Sequence, residues 1–148
     1  MKNLAFLLLG LMVMFSCTSQ KETSTLKVPY SEAKNYFVKN TYQSNEIAIK
    51  KIASQKEFDE IFGAATTMGP NGMPTNIDFS KNYIIALIGT QTNKSTDFLV
   101  KNLVKEKENI VLSYAVKEES TENSYTILPA KILIVSKQYD GNIISNKL

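Results

Sequence analysis

The feature that most constrains the fold is an unbroken apolar run at residues 83–88, which is followed later by a second one at residues 132–135. Runs of this length without polar interruption are typical of strands that are covered on both faces inside a sheet. Residues 110–116 instead alternate large apolar side chains with smaller or polar ones, the pattern of a strand with one buried face. These three segments predict a domain built around a β-sheet.

The clearest helix signal is the segment from Ser54 to Glu57, which has the spacing of a capping box. Phe58, Ile61, Phe62 and Ala65 follow at i, i+3, i+4 and i+7. This spacing predicts a helix over residues 55–65 whose apolar face packs on the sheet.

Other segments complete the predicted fold. Residues 31–40 fit a helix capped by Ser31 and fit a strand equally well, so both remain open. Residues 47–50 and 98–104 predict strands, the second with a bulge, and residues 105–109 predict a hairpin tip. Residues 118–123 are predicted to be a polar loop, and Pro129 to lie at a sheet edge or between strands. Together these segments predict an α+β domain with an antiparallel sheet of about six strands and one helix packed on it. A β-sandwich is the alternative.

Composition excludes several kinds of site. The chain has no histidine and a single cysteine, and all 17 of its basic residues are lysine. Without histidine there is no Ser-His-Asp or Cys-His catalysis and no imidazole metal site, and we expect neither a metal nor a cofactor. The lysines are scattered and the net charge is only +3, so no nucleic-acid partner is predicted.

The amino terminus has the pattern of an export signal. Met1, Lys2 and Asn3 precede twelve almost purely apolar residues at 4–15, and Ser16 and Cys17 follow. Twelve helical residues cover only about 18 Å, which is too short to span a bilayer but fits the apolar region of a secretory signal. No Ala-x-Ala site follows the apolar run, whereas the lone cysteine stands directly behind it.

The segment Met14-Phe15-Ser16-Cys17 resembles the lipobox of a bacterial lipoprotein signal. This resemblance implies cleavage after Ser16 and diacylglycerol on the sulfur of Cys17, so that acyl chains tie the protein to the cell envelope, with the outer membrane as the expected location. The alternatives are a plain secretory signal with a free thiol and an uncleaved leader. The predicted organisation is a signal peptide at 1–16, the lipidated cysteine and a polar flexible tether at 17–28, and one α+β domain at 29–148. An edge strand is the alternative for the tether.

A second resemblance concerns residues 83–137. Gly89, Pro129 and the aliphatic strand at 132–135 match the pattern of the PrcB-type domain of accessory subunits in surface protease complexes, and of small lipoproteins of Bacteroidetes. The Gly-Gly-Tyr element of that domain is absent, and Lys94 to Asp97 stand in its place. The resemblance implies an inhibitory or accessory role beside a protease.

The candidate binding segment is the loop at residues 66–76, which contains two prolines, two glycines and two methionines. Met68, Pro70 and Met73 would serve there as soft, adaptable contacts for a partner. The alternative is an ordinary connection whose methionines pack onto the core.

Three functions therefore stand as hypotheses. The first is a membrane-anchored, non-catalytic module that binds a protein through a sheet edge or the loop at 66–76. The second is a structural lipoprotein that maintains the envelope within a larger complex. The third and most distant is a hydrolase that uses carboxylates, for which Asp78, Asp97 and Glu119 are the first to inspect. Asp78 is expected instead to accept hydrogen bonds in a turn near Ser80 and Lys81.

Overall fold

The computed structural model describes residues 25–148; the predicted signal peptide, Cys17 and the first part of the tether lie outside the described residues. The described part contains one α-helix, α1, at Gln55–Ile61. It also contains ten strands: β1 Thr25–Lys27, β2 Tyr30–Glu32, β3 Tyr36–Val38, β4 Ala48–Ile52, β5 Phe62–Ala64, β6 Asn82–Ile88, β7 Thr92–Glu106, β8 Asn109–Ile127, β9 Ala130–Ser136 and β10 Asn142–Lys147. None of residues 25–148 belongs to a helix long and apolar enough to cross a bilayer.

The strands form two four-stranded sheets and a two-stranded one. Sheet A has the order β1-β7-β8-β10, sheet B has the order β2-β9-β6-β4, and sheet C pairs β3 with β5. Neighbouring strands run antiparallel except β8 and β10, which run parallel. A mostly β fold with antiparallel pairing and one helix is therefore confirmed, and its strands are divided among three sheets rather than gathered in one.

The two apolar runs of the sequence occupy the interior of sheet B. β6 lies between β4 and β9, and its residues 83–88 are at most 1 % exposed. Alternate residues of β6 enter different clusters because successive side chains of a strand point to opposite faces. Tyr83, Ile85 and Leu87 pack with residues of sheet A, whereas Ile84, Ala86 and Ile88 pack with Phe58 of α1 and with sheet C.

One long, bent ribbon connects sheets A and B. β6 pairs with β9 in sheet B, and the same two chain segments continue as β7 paired with β8 in sheet A. At the bend, the Gly89 N–H donates to the carbonyl of Pro129 at 2.8 Å, and a Cβ on Gly89 would lie 2.7 Å from Pro129 Cγ. Glycine at 89 therefore permits the close approach, and Pro129 lies between strands as predicted.

The capping box is present, but the helix is shorter than predicted. Ser54 Oγ accepts from the Glu57 N–H at 3.3 Å, and the Glu57 carboxylate accepts from the Ala53 N–H at 2.9 Å. The hydrogen bond from the Ala53 N–H, with smaller contributions from the side chain and backbone N–H of Ser54, lowers the pKa of the Glu57 carboxyl. α1 ends at Ile61 rather than at residue 65, because Phe62 takes an extended conformation and pairs with Val38 in sheet C.

The predicted loop at residues 118–123 is wrong, because these residues belong to β8. Their register with β7 includes Glu122 opposite Lys94 and Glu118 opposite Thr96, with irregular pairing between. They are exposed except for partly buried Asn123, so no apolar alternation marked them as a strand. The predicted bulge in β7 is confirmed between Val100 and Asn102, and the predicted hairpin tip has Lys107 at φ 56°.

The ambiguous segment at residues 31–40 is extended rather than helical. It contains the end of β2 and all of β3, separated by Asn35 at φ 62°. The folded part also begins earlier than residue 29, because Thr25–Lys27 pair with β7 as an edge strand and Val28 is buried against sheet A. The last four residues assigned to the tether therefore belong to the domain.

Candidate functional site

The loop at residues 66–76, here called the methionine loop, connects β5 to Ile77 without helix or strand. The side chain of Met68 is fully exposed, Met73 is 72 % exposed, and Pro70 is also exposed. The alternative in which both methionines pack onto the core is therefore wrong. The sequence-predicted binding residues lie together at the surface.

The methionine loop is closed by its own backbone. The Thr67 N–H donates to the carbonyl of Gly72 at 2.9 Å, and the Gly72 N–H donates to the carbonyl of Gly69 at 3.2 Å. Gly69 has φ 115° and Asn71 has φ 68°, both in the region that glycine and asparagine tolerate best. Gly72 is buried, and a Cβ there would lie only 1.9 Å from the carbonyl oxygen of Thr67.

A second set of hydrogen bonds ties the loop to the segment before β3. Asn35 Nδ2 donates to the carbonyls of Asn71 at 2.6 Å and of Met73 at 2.8 Å. The Lys34 N–H donates to Thr75 Oγ1 at 2.9 Å, and the Thr75 N–H donates to the carbonyl of Lys34 at 3.1 Å.

Tyr36 completes this attachment from inside the domain. Its hydroxyl donates to the carbonyl of Thr75 at 2.8 Å, and its ring packs edge-on against Phe58, with centroids 4.9 Å apart. Burial, with a smaller contribution from the charge of Asp59, raises the pKa of Tyr36. The hydroxyl therefore remains a donor at neutral pH. The loop backbone is held by its own hydrogen bonds and by those from Asn35 and Tyr36, while the side chains of Met68 and Met73 are exposed.

A groove runs along the side of β3 that faces away from β5. It has a volume of about 340 Å³ and is here called the edge groove. Its lining residues come from β3, the bend and the β8–β9 connection: Tyr36, Phe37, Val38, Asn40, Gln91, Thr126, Ile127, Leu128 and Ala130. A cleft of about 570 Å³ adjoins it and shares Asn40, Gln91 and Leu128.

The edge groove and the cleft have a lining without charged residues, although 21 % of the chain is charged. Phe37 is half exposed beside the groove, and its ring lies over Gly63 of β5. The side-chain groups available there are neutral amides, hydroxyls, aliphatic side chains and the aromatic rings of Tyr36, Phe37 and Tyr42. Such a surface fits an uncharged ligand, because a buried charge without a partner is costly.

The candidate carboxylates are exposed and lie apart from these surfaces. Asp78 Oδ1 accepts from the Ser80 N–H at 2.9 Å and from the Ser80 hydroxyl at 2.5 Å, and Oδ2 lies 3.5 Å from Lys81 Nζ. These contacts, chiefly those with Ser80, lower the pKa of Asp78. The prediction that Asp78 accepts hydrogen bonds in a turn is therefore confirmed.

The other two candidate carboxylates, Asp97 and Glu119, are also exposed. Asp97 pairs with Lys131 at 2.9 Å, and Glu119 lies on the exposed part of β8. Among residues 25–148, no charged or polar side chain is fully buried, and no group of three acidic residues lies close enough to hold a metal ion.

Sequence reasoning missed Asn35 and the edge groove. Asparagine tolerates a left-handed backbone, and it stands between two short extended segments, so its identity was a usable signal for a turn. The groove had no such signal, because its walls come from three separate parts of the chain.

Comparison of the chain with protein-family models, with curated proteins and with solved structures gave no match.

Proposed function

We propose that this protein is a bacterial lipoprotein, anchored to the envelope through acyl chains on Cys17, whose domain is a non-catalytic module that binds a protein partner. The observation that carries the binding proposal is the methionine loop, where Met68 and Met73 are exposed on a backbone held by Asn35 and Tyr36. A fixed backbone lowers the entropic cost of binding, and methionine side chains adapt to the shape of a partner.

The anchor rests on the sequence before the described residues. A short apolar run, Ser16 and the lone Cys17 supply the features of a lipoprotein signal. One acyl chain holds a protein weakly, whereas two or three give stable attachment at about 0.8 kcal/mol for each buried methylene. The outer membrane is the proposed location.

The proposed architecture is a sandwich-like packing of sheets A and B. Buried residues of both sheets form one cluster, which includes Leu87 and Leu133 from sheet B and Phe98 and Leu112 from sheet A. Such a rigid support holds the methionine loop on the opposite side of sheet B, next to α1 and sheet C. Binding surfaces are commonly loops positioned by a rigid scaffold.

An envelope protease is the first partner to test, because residues 83–137 resemble the PrcB-type domain. A non-catalytic role is supported by Asp78, whose exposed carboxylate is occupied by hydrogen bonds from Ser80 and an ion pair with Lys81. The second hypothesis, a structural lipoprotein, predicts broad association with envelope proteins instead of one partner.

Site-specific photocrosslinking in growing cells tests the binding proposal. A photoreactive residue at Met68 is expected to give one discrete protein adduct, and a matched residue at Tyr125, which is 62 % exposed on β8, is expected not to give it. Met73→Ser should lower the yield of the adduct at position 68. Equal adducts from both positions, or a spread of many envelope proteins at position 68, would contradict the proposal.

A further inference from the structure

The pairing of β2 with β9 ends at Ala33, before Asn35. The Ala33 N–H donates to the carbonyl of Ile132 at 2.9 Å, and continuing this antiparallel register would place Asn35 opposite Ala130. Asn35 has φ 62°, however, and its carbonyl accepts from the Ala65 N–H at 2.9 Å. The chain has therefore turned away from β9 to pair with β5.

This turn leaves Ala130 without a strand partner on its outer side. The Gly89 N–H donates to the Pro129 carbonyl, so residue 129 points its carbonyl toward β6 and residue 130 points its N–H and C=O away. Within residues 25–148, no hydrogen bond is present to the backbone N–H or C=O of Ala130. Both groups face the edge groove, which Ala130 lines.

The same alternation leaves β3 with one edge that pairs with no described strand, on the wall of the edge groove opposite Ala130. Residues 35 and 39 bond to β5 through Ala65 and Ile61, so the backbone groups of Tyr36 and Val38 point away from β5. No residue of the described chain pairs with them. The edge groove thus has unpaired backbone donors and acceptors on both walls.

We propose that the edge groove binds an extended, uncharged peptide segment of a partner protein, which adds as a strand between β3 and β9. Main-chain hydrogen bonds to Tyr36 and Val38 on one side and to Ala130 on the other hold the segment. The inserted strand joins sheet C to sheet B. This proposal goes beyond the methionine loop, because no residue of that loop lines the edge groove.

The lining selects the chemistry of the segment. A lysine or glutamate side chain lowered into the groove meets no opposite charge, because none of the lining residues is charged. Phe37 offers a half-exposed ring for one apolar side chain of the segment. Residues such as threonine, valine and serine, which favour strands, therefore fit better than charged ones.

The test uses the chain purified from membranes in detergent and a library of capped, uncharged eight-residue peptides. The tightest binder is expected to slow amide hydrogen exchange at Val38 and Ala130 at least tenfold. The same peptide with lysine and glutamate at its central positions should bind at least tenfold more weakly.

Ala130→Pro removes an N–H that the protein does not use itself and fills the groove, so the fold is kept while peptide affinity falls at least tenfold. Ala130→Ser keeps the N–H and is the matched control, with unchanged affinity. On the unaltered chain, N-methylation of a central peptide residue gives the same loss, which tests the proposal even if the proline variant fails to fold.

Three results would overturn the proposal. The first is that no library peptide binds at the edge groove, and the second is that peptide affinity is unchanged by both Ala130→Pro and N-methylation of the peptide. The third is that a second copy of the chain occupies the edge groove and is released by Ala130→Pro. Met68→Ser with Met73→Ser leaves peptide affinity unchanged if the groove is a separate surface. Failure of the methionine-loop proposal is therefore distinguishable from failure of this one.

Discussion

Asn35 is the residue on which the shape of the methionine loop most depends, and two substitutions separate its two contributions. Its side chain donates to Asn71 and Met73, and its backbone has φ 62°. Asn35→Gly removes the two hydrogen bonds but tolerates the left-handed backbone. Asn35→Ala removes the bonds and adds backbone strain as well.

The magnitudes follow from these two changes. Each exposed hydrogen bond contributes about 0.5 kcal/mol, at the lower end of the usual range, so Asn35→Gly lowers the free energy of unfolding by about 1 kcal/mol. Asn35→Ala adds about 1 kcal/mol of strain, for a total of about 2 kcal/mol. Urea unfolding at neutral pH measures both values, and amide hydrogen exchange should quicken in both variants at Gly72 and Thr75, whose N–H groups donate to the carbonyls of Gly69 and Lys34.

Asn76→Ala is the matched control, because Asn76 is exposed in the same loop and its side chain makes no hydrogen bond to the described residues. It should leave the free energy of unfolding unchanged within about 0.5 kcal/mol. Equal losses for Asn35→Gly and Asn35→Ala would show that the left-handed backbone is not required. Unchanged exchange at Gly72 and Thr75 would show that the side chain of Asn35 does not fix the loop.

Three further predictions concern the scaffold. Gly89→Ala forces a methyl group to 2.7 Å from Pro129 Cγ and should lower the free energy of unfolding by about 1 to 3 kcal/mol in urea, whereas an unchanged midpoint would refute the tight bend. Ser54→Ala removes the helix cap and should cost about 1 kcal/mol in the same assay, and a neutral result would refute the capping role. Burial, with help from Asp140, raises the pKa of Tyr83 from 10.0 to about 12, so its contribution to stability is complete below pH 10 and is lost as the pH rises through 12. Tyr83→Phe should flatten this alkaline decline in thermal unfolding, and an identical decline in both proteins would contradict the assignment.

The sequence predicted best those elements whose signal is local. The apolar runs of β6 and β9 indicated strands that are buried on both faces, and the capping box at Ser54 marked where α1 begins. Asp78 was predicted as a turn acceptor because a carboxylate two residues before a serine readily accepts its N–H and hydroxyl.

Elements that depend on distant partners were missed. The polar half of β8 is a strand because β7 lies beside it, and not because of its own pattern. The sequence indicates a short last strand at residues 143–144, but it does not indicate that this strand, β10, pairs parallel with β8, because no turn signal reveals a partner across the fold. The predicted helix was too long for the same reason: α1 ends at Ile61 because Phe62 pairs with Val38, which is distant in sequence.

The candidate site was predictable only in part. The prolines and glycines of the methionine loop marked it as a loop, and Met68 and Met73 stood out as apolar residues within it. Their exposure depends on hydrogen bonds from Asn35, which lies far away in sequence. The edge groove exists because two strands diverge, and such divergence leaves no local pattern.

The proposed function depends first on the anchor, which would place the methionine loop and the edge groove beside an envelope partner. Intact mass spectrometry of the protein purified from membranes tests it most directly. If Cys17 is lipidated as proposed, the mass equals that of the chain from Cys17 to Leu148 plus a diacylglyceryl group, with or without a third acyl chain. A chain cut elsewhere, or one that retains an unmodified thiol at Cys17 while still in the membrane fraction, would contradict it.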